Sequence, residues 1–453
     1  MSLESYFSSV SGLVVLSRQQ LLMKSKRILF ASVPLEGHFN PLTGLAVHLK
    51  NEGYDVRWYT GPIFAEKLEK MKIPHFPFRK ATEVTQENLE DVFPERRRHK
   101  SQIGKVKFDM IHYFILKTPD YFADLEDIHR EFPFDLLVCD MLFIASTLVQ
   151  HKLSVPVVCI GIAPLGSTSV DLPPPGLGMT PSTGFFGKNK QALLRFLVQH
   201  VIFREITAVY NRMLGNYGVR PNPNVFIDTQ IRRADLYLQS GTPGFDYERS
   251  DWPTNLRFVG PLLPHQFQQN RPFLHETKLQ HYKKVILVTQ GTVERDVEKI
   301  IVPTLEALKD FPYLIIVTTG GSPQTNRLRA RYLQKNVIIE PFLDFNRIMP
   351  YADVFVTNGG YGGVLLSITH QVAMVTAGLH EVKNEITARV GYFKLGIDLK
   401  TETPTPDQIR ESVTAVLSDP QYKRNITRLS DEFRRYDTFG LCSRYIGEVL
   451  EKK

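Results

Sequence analysis

From residue 26 onward, short apolar runs alternate with stretches in which apolar residues return every three or four positions. The run at 28–33 reads as a strand. It leads through a Pro- and Gly-bearing turn at 34–41 into a helix predicted over 42–52, where Leu42, Leu45, Ala46 and Leu49 form one buried stripe. Gly53 stands where a helix C-terminus takes a left-handed residue. A second strand follows at 54–60, and a strand–helix–strand unit with so short a crossover favours parallel pairing. The alternation continues with a strand at 136–139, a helix at 142–152 and a strand at 157–160. A loop at 164–187, rich in Pro, Gly and Ser, is long enough to be functional or disordered. An apolar helical run at 193–214 and a strand at 236–238 close this half.

Residues 241–280 carry turn residues and read as a linker. The second half repeats the logic with strands at 285–289, 314–318, 337–339 and 354–356 and helices at 296–309, 361–370 and 383–392. Everything from 405 to 453 is helical in pattern. The predicted fold class is α/β: two Rossmann-like doubly wound domains, 23–240 and 281–453, facing a cleft, with the last helix packing back across the junction. A ligand of such a pair belongs in the cleft, at the carboxyl ends of the strands. Residues 1–22 hold Glu4 and only a weak apolar patch at 10–16. They read as a disordered tail or a consequence of start-site choice, because a secretory signal wants a basic start and a longer apolar run.

Composition narrows the classes. A chain of 453 residues needs two cores rather than one. With 43% hydrophobic and 23% charged residues it has the balance of a soluble globular protein. No stretch reaches the ~18 uncharged apolar residues of a membrane span. Cys139, Cys159 and Cys442 are too scattered for a disulfide framework or a zinc knuckle, so a reducing cytoplasm is the expected location. The net charge is +8, and its densest run is Arg96, Arg97, Arg98, His99 and Lys100, with Lys105 and Lys107 beyond. That run reads first as a solvated face, and second as an attraction to an anionic membrane surface or acidic acceptor. No binding module or aromatic-interleaved basic stripe accompanies it, so nucleic acid is not an expected partner.

Two constellations carry chemistry. His38 lies in the segment after the first strand, at the edge where doubly wound sheets bind ligands. An imidazole there can take the proton of a hydroxyl nucleophile. It gains from a carboxylate that fixes its tautomer, and Asp140, directly after the strand at 135–139, is the candidate partner. Taken singly, each has a plainer role: a helix N-terminal residue for His38, a cap for Asp140. The second constellation is Asn358, Gly359, Gly360, Tyr361, Gly362 and Gly363, between a strand and an apolar helix. Glycines let backbone N–H groups approach a phosphate at a helix N-terminus, although they also simply make tight turns. A second turn, Gln290, Gly291 and Thr292, follows another strand of the same half, so two turns could hold a diphosphate between them. No Asp-x-Asp pattern or His/Cys cluster with ligand spacing appears in the expected places, so no metal and no bound cofactor are expected.

The sequence Gly37-His38-Phe39-Asn40-Pro41, with the stripe behind it, resembles the first strand–helix turn of the UDP-glycosyltransferase superfamily, closest to its bacterial macrolide and natural-product members. The resemblance spans nearly all of 26–435 and is densest at 34–41 and 339–390. It implies a GT-B-like fold, with His38 as general base, Asp140 orienting it, and a nucleotide sugar, of UDP type, as co-substrate. It implies that Phe342 stacks on the base and that Glu381 or Lys383, or their neighbour Glu385, meets the sugar hydroxyls. The chain departs from the family's pattern at Asn358, where histidine is usual, and at Leu366, where a ribose-binding glutamate is usual. The expected activity is inverting, metal-independent transfer of a hexose to a hydroxyl of a small, partly apolar acceptor, with a lipid-like acceptor and peripheral membrane contact as a variant. Tyr113, Phe114, Phe185 and Phe186 are candidates to line the acceptor pocket, or are ordinary core. Two rival readings are a sugar-nucleotide epimerase, which would need no acceptor, and a non-catalytic binding protein that kept the fold.

Overall fold

The computed structural model describes residues 26–222, 225–266, 276–291 and 294–452. The expected tail at 1–22 and Thr292 lie outside the described residues. Seven strands, β1 (Arg27–Ala31), β2 (Asp55–Thr60), β3 (His75–Pro77), β4 (Leu136–Asp140), β5 (Val157–Gly161), β6 (Leu236–Gln239) and β7 (Leu256–Phe258), build the first sheet. Its order is β3-β2-β1-β4-β5-β6-β7, and every pairing is parallel. Six more, β8 (Val285–Thr289), β9 (Leu314–Thr318), β10 (Val337–Glu340), β11 (Val354–Thr357), β12 (Ala373–Thr376) and β13 (Gly396–Asp398), build a second parallel sheet in the order β10-β9-β8-β11-β12-β13. Both are doubly wound. In each, the strand order reverses beside the sheet's first strand, opening a crevice at the carboxyl ends of β1 and β4 and of β8 and β11.

Alternation along each strand feeds two apolar layers. Ile28 and Phe30 face one layer while Leu29 and Ala31 face the other. Such strands are buried on both faces, which is why they read as unbroken apolar runs. The last helix, Thr438–Glu451, belongs to the second half by sequence. It nevertheless inserts Cys442, Ile446, Val449 and Leu450 into the layer of the first sheet that holds Leu42, Leu45 and Leu49.

Several elements differ from the sequence pattern. The helix expected from 42 begins at Glu36, so most of the expected turn at 34–41 is helical. Pro41, the sixth residue, sits inside it and forfeits the bond that an N–H there would make to the Gly37 carbonyl. Gly53 does end this helix, at φ 101°, with the Tyr54 N–H reaching back to the Leu49 carbonyl. The helical run expected from 193 starts at Phe185 and is broken by a π-helical turn at Val198–Ile202 before resuming at Arg204–Gly215. The helix expected at 296–309 is confined to Ile301–Leu308. Strand β7 lies within the segment read as linker; three residues are too short a run to register as a period.

Candidate active site

The parallel register aligns Ala31 of β1 with Cys139 of β4, so the segments leaving the two strands emerge side by side. From β1 the chain turns at Leu35 into the Glu36–Asn51 helix, and His38 occupies its first turn. Asp140 is the last residue of β4. The His38 Nδ1–H donates to Asp140 Oδ1 at 2.8 Å, and the Leu142 N–H donates to the same oxygen at 2.8 Å. The carboxylate thereby fixes the tautomer and leaves Nε2 as the basic nitrogen. Asp140 has no exposed side-chain surface, and its Oδ2 is buried without a hydrogen-bond partner, whereas the His38 side chain keeps 16% exposure. Burial pushes the Tyr113 hydroxyl well above its ordinary pKa and raises that of Tyr121 too, each with a contribution from the Asp140 charge. Water is thus largely excluded behind the pair, and in such surroundings a charge-assisted hydrogen bond is strong.

Other residues of the motif hold this turn. Asn40 Nδ2 donates to Glu36 Oε2 at 2.6 Å, and Lys67 Nζ reaches both oxygens of Glu36 at 2.8 and 2.7 Å. Phe39 stacks on Phe64 at 4.0 Å within the core. Phe114, on a π-helical turn at Asp109–Ile115, brings its ring within 6.3 Å of His38.

In the second sheet, the register pairs Thr357 of β11 with Thr289 of β8, which sets the two glycine-bearing turns side by side. The Asn358 side-chain amide donates to the Gln290 carbonyl, tying one turn to the other. Gly291 and Gly359 hold φ of 76° and 79°. At Gly359 a Cβ would stand 2.5 Å from Thr387 Cγ2, so both backbone angle and space demand glycine. Gly360 is the N-cap of the Tyr361–Thr369 helix, whose first-turn N–H groups point back to the crevice. A Cβ would meet nothing within 4 Å at Gly362, whereas at Gly363 it would touch Phe355. Phe342 is 67% exposed, its ring resting over Gly321 at the same sheet edge. Leu366 is buried in the apolar layer and offers nothing to a ribose.

The two crevices face each other. Glu87, Gln102 and Gly176 follow strands of the first sheet, and Arg295, His380 and Glu385 follow strands of the second. Across the gap, Arg295 meets Glu87 at 3.3 Å and Gln102 meets His380 at 3.4 Å. Glu385 Oε1 accepts from the N–H groups of Gly176 (2.9 Å) and Gly178 (2.8 Å), in the long loop after β5. Its Oε2 pairs with Arg389 at 3.0 Å, and Arg389 in turn meets Asp246 at 2.8 Å, fully buried. Burial opposes the Arg389 charge, but Asp246 and Glu385 beside it hold its pKa above the ordinary value.

Of the three acidic and basic candidates near 381–385, Glu385 is therefore engaged with the opposite domain. Glu381, at φ 61°, pairs with Lys383 at 2.6 Å at the start of the Lys383–Tyr392 helix. No local pattern in the sequence foretells the Asp246–Arg389–Glu385 chain. Its one sequence signal is Arg389 itself, a cation four residues after Glu385 among Ile386, Ala388 and Val390, all buried. Phe185 and Phe186, expected to line a pocket or belong to the core, are 75% and 87% exposed.

Two facing Rossmann-like domains with this pair of crevices make the architecture of a GT-B glycosyltransferase. Residues 175–435 match the family described as "UDP-glucoronosyl and UDP-glucosyl transferase", and the chain belongs to it. The chain is 32% identical over 411 residues to 4'-demethylrebeccamycin synthase of Lentzea aerocolonigenes, covering 91% of this chain and 96% of that one. It is 28% identical to UDP-glycosyltransferase 2 of Phaeomoniella chlamydospora, over 93% and 95% of the two chains. Among solved structures it resembles the calicheamicin glycosyltransferase CalG4 with a TM-score of 0.70 at 19% identity, over 94% of this chain and 98% of that one. The chain is a glycosyltransferase that takes its sugar from a nucleotide donor. The matched family is one of transferases, which supports neither the epimerase nor the non-catalytic reading.

Proposed function

We propose that the chain transfers a hexose from UDP to a hydroxyl of a small, partly apolar acceptor in one inverting displacement that uses no metal ion. The observation that carries this is the 2.8 Å contact of His38 Nδ1 with buried Asp140 at the mouth of the first crevice. His38 Nε2 takes the acceptor's hydroxyl proton as the oxygen attacks the anomeric carbon. The new C–O bond forms as the bond to the diphosphate breaks, and the leaving electron pair goes to the β-phosphate oxygen. Asp140 stabilises the imidazolium so formed, and the N–H groups at the start of the Tyr361–Thr369 helix offset the charge on the diphosphate. Phe342 provides an exposed ring for the base, and the turns at Gly291 and Gly359–Gly360 cradle the phosphates. Glu381 and Lys383 are left to meet the sugar.

The structural relatives support a nucleoside diphosphate on the donor side and a small aglycone on the acceptor side. VinC was solved in complex with dTDP, and the spinosyn rhamnosyltransferase SpnG with thymidine diphosphate and with the spinosyn aglycone. The test begins with thermal unfolding against a panel of UDP- and dTDP-sugars. A donor at about a hundred times its Kd stabilises by about 2.7 kcal/mol. The best donor is then used to follow diphosphate release with a hydroxylated aromatic acceptor. His38→Ala should slow release by about 10²–10⁴-fold; wild-type rates in that variant would overturn the mechanism.

A further inference from the structure

The helix Phe185–Leu197 and the turn that continues it carry most of their apolar residues outward, Val198 being the buried exception. Phe185, Phe186, Leu193, Phe196 and Val201 are 75%, 87%, 59%, 57% and 63% exposed, while Gln191 of the same helix is buried. Residues 186, 190, 193, 197 and 201 fall on one stripe at helical spacing, with Phe185 and Phe196 flanking it. Exposure this high belongs to a convex face, because the opposite wall of a cleft would shade its lining. The stripe is therefore not acceptor-pocket wall.

Charge selects what such a face meets. Lys188, Lys190, Arg195 and Arg204 lie in this segment, and no Asp or Glu occurs between residues 172 and 204. Lys188, Lys190 and Arg204 are exposed, while Arg195 is turned to the Leu172 carbonyl at 2.6 Å. A second copy seated on this face by two-fold symmetry would set like charges against one another. An anionic surface would not. The basic run at 96–107 is partly consumed by comparison: Arg96 pairs with Asp109 and Glu90, Arg97 with Glu90 and Asp91, and Lys107 with Glu205.

We propose that residues 185–204 form a docking face for an anionic lipid bilayer, with the phenylalanine and leucine side chains entering the headgroup layer and Lys188, Lys190 and Arg204 meeting lipid phosphates. The attachment is peripheral, since among the described residues no helix is long and apolar enough to cross a membrane. The face directly follows the loop whose Gly176 and Gly178 are held by Glu385, so the bilayer lies on the acceptor side of the cleft.

The test is co-sedimentation of the full chain with vesicles of phosphatidylcholine alone or mixed with phosphatidylserine, at low and high salt, alongside light scattering of the free protein. Binding should require phosphatidylserine and weaken with salt. Lys188→Gln and Lys190→Gln should each weaken it about fivefold. Phe186→Asp with Phe196→Asp should reduce it more than about tenfold without moving the unfolding midpoint, because both rings are already in solvent. No binding to the mixed vesicles at low salt, equal binding to both vesicle types, or binding indifferent to the paired aspartates would each overturn the proposal. So would a dimer that the same paired aspartates dissociate. None of these outcomes depends on the catalytic reading.

Discussion

Replacing Asp140 with asparagine removes one charge from a site with no exposed side-chain surface while nearly preserving shape. The Asp140 Oδ1 now accepts from His38 Nδ1–H and from the Leu142 N–H, both at 2.8 Å, and an amide oxygen can accept both. The amide nitrogen then takes the place of Oδ2, an atom that makes no hydrogen bond in the folded protein. Ring orientation is therefore retained, and what disappears is the charge that stabilises the imidazolium as the acceptor proton is taken. Should the amide turn over instead, its N–H₂ would face Nδ1 and force the opposite tautomer, leaving Nε2 protonated and useless as a base. Either way kcat should fall by about 10²–10³-fold, about 3–4 kcal/mol at the barrier, within the range a positioned general base supplies. KM for donor and acceptor should stay within about threefold, because neither substrate touches Asp140. Stability should shift by no more than about 1 kcal/mol, since a buried carboxylate oxygen without a partner is itself unfavourable. The assay is diphosphate release at saturating donor and acceptor, paired with thermal unfolding of the same preparations. A kcat within about threefold of wild type would refute the reasoning. A large loss of kcat accompanied by several kcal/mol of lost stability would refute it equally, by assigning Asp140 to the fold rather than to the chemistry.

Three further outcomes follow from geometry elsewhere. Phe342→Ala removes a ring that is 67% exposed, so stability should change by less than about 0.5 kcal/mol, while calorimetric affinity for UDP should fall at least about fivefold, the loss of one base–aromatic stack; an unchanged Kd would remove Phe342 from the donor site. Arg389→Met leaves Asp246 charged and buried and should cost about 3–5 kcal/mol in urea unfolding, much of it recovered by adding Asp246→Asn; equal losses in the single and double variants would show that the pairing is not what Arg389 contributes. Burial lowers the pKa of His75, although its bond to the Thr60 carbonyl opposes this, so the unfolded chain takes up the proton first. The stability it contributes is complete above about pH 6.5 and is lost as pH falls from there through the lower folded value. The difference in urea midpoint between about pH 7.5 and about pH 5.5 should accordingly shrink in His75→Gln, and an unchanged difference would count against the assignment.

The parts of this site that could be read from the chain are those fixed by strand ends. A strand buried on both faces announces itself as an apolar run, its last residue fixes an edge of the sheet, and a short crossover implies parallel order. His38, Asp140 and the Asn358 turn are all located by that reasoning, and the register that joins them, Ala31 with Cys139 and Thr357 with Thr289, follows from topology. What stayed hidden depends on side chains that meet across the chain. Pro41 and Gly37 argued for a turn, yet tertiary burial of Phe39, Leu42 and Leu45 carries the helix through them, which places His38 on a rigid first turn rather than in a loop. Asp246 and Arg389 stand 143 residues apart, and no local pattern pairs them.

The same distant contacts bear on the one ambiguity that spacing could not resolve, which of Glu381, Lys383 and Glu385 faces the sugar. Both oxygens of Glu385 are taken, one by the backbone of the loop at 176–178 and one by Arg389. Breaking those contacts to bind a sugar hydroxyl would strand two N–H donors and weaken a buried ion pair, a cost larger than the single hydrogen bond gained. Glu381 and Lys383 are under no such constraint: among the described residues their side chains pair with each other, with the Glu294 carboxylate near Lys383. Glu385 thus joins the domains, and in the proposed function sugar recognition is assigned to the pair four and two residues before it.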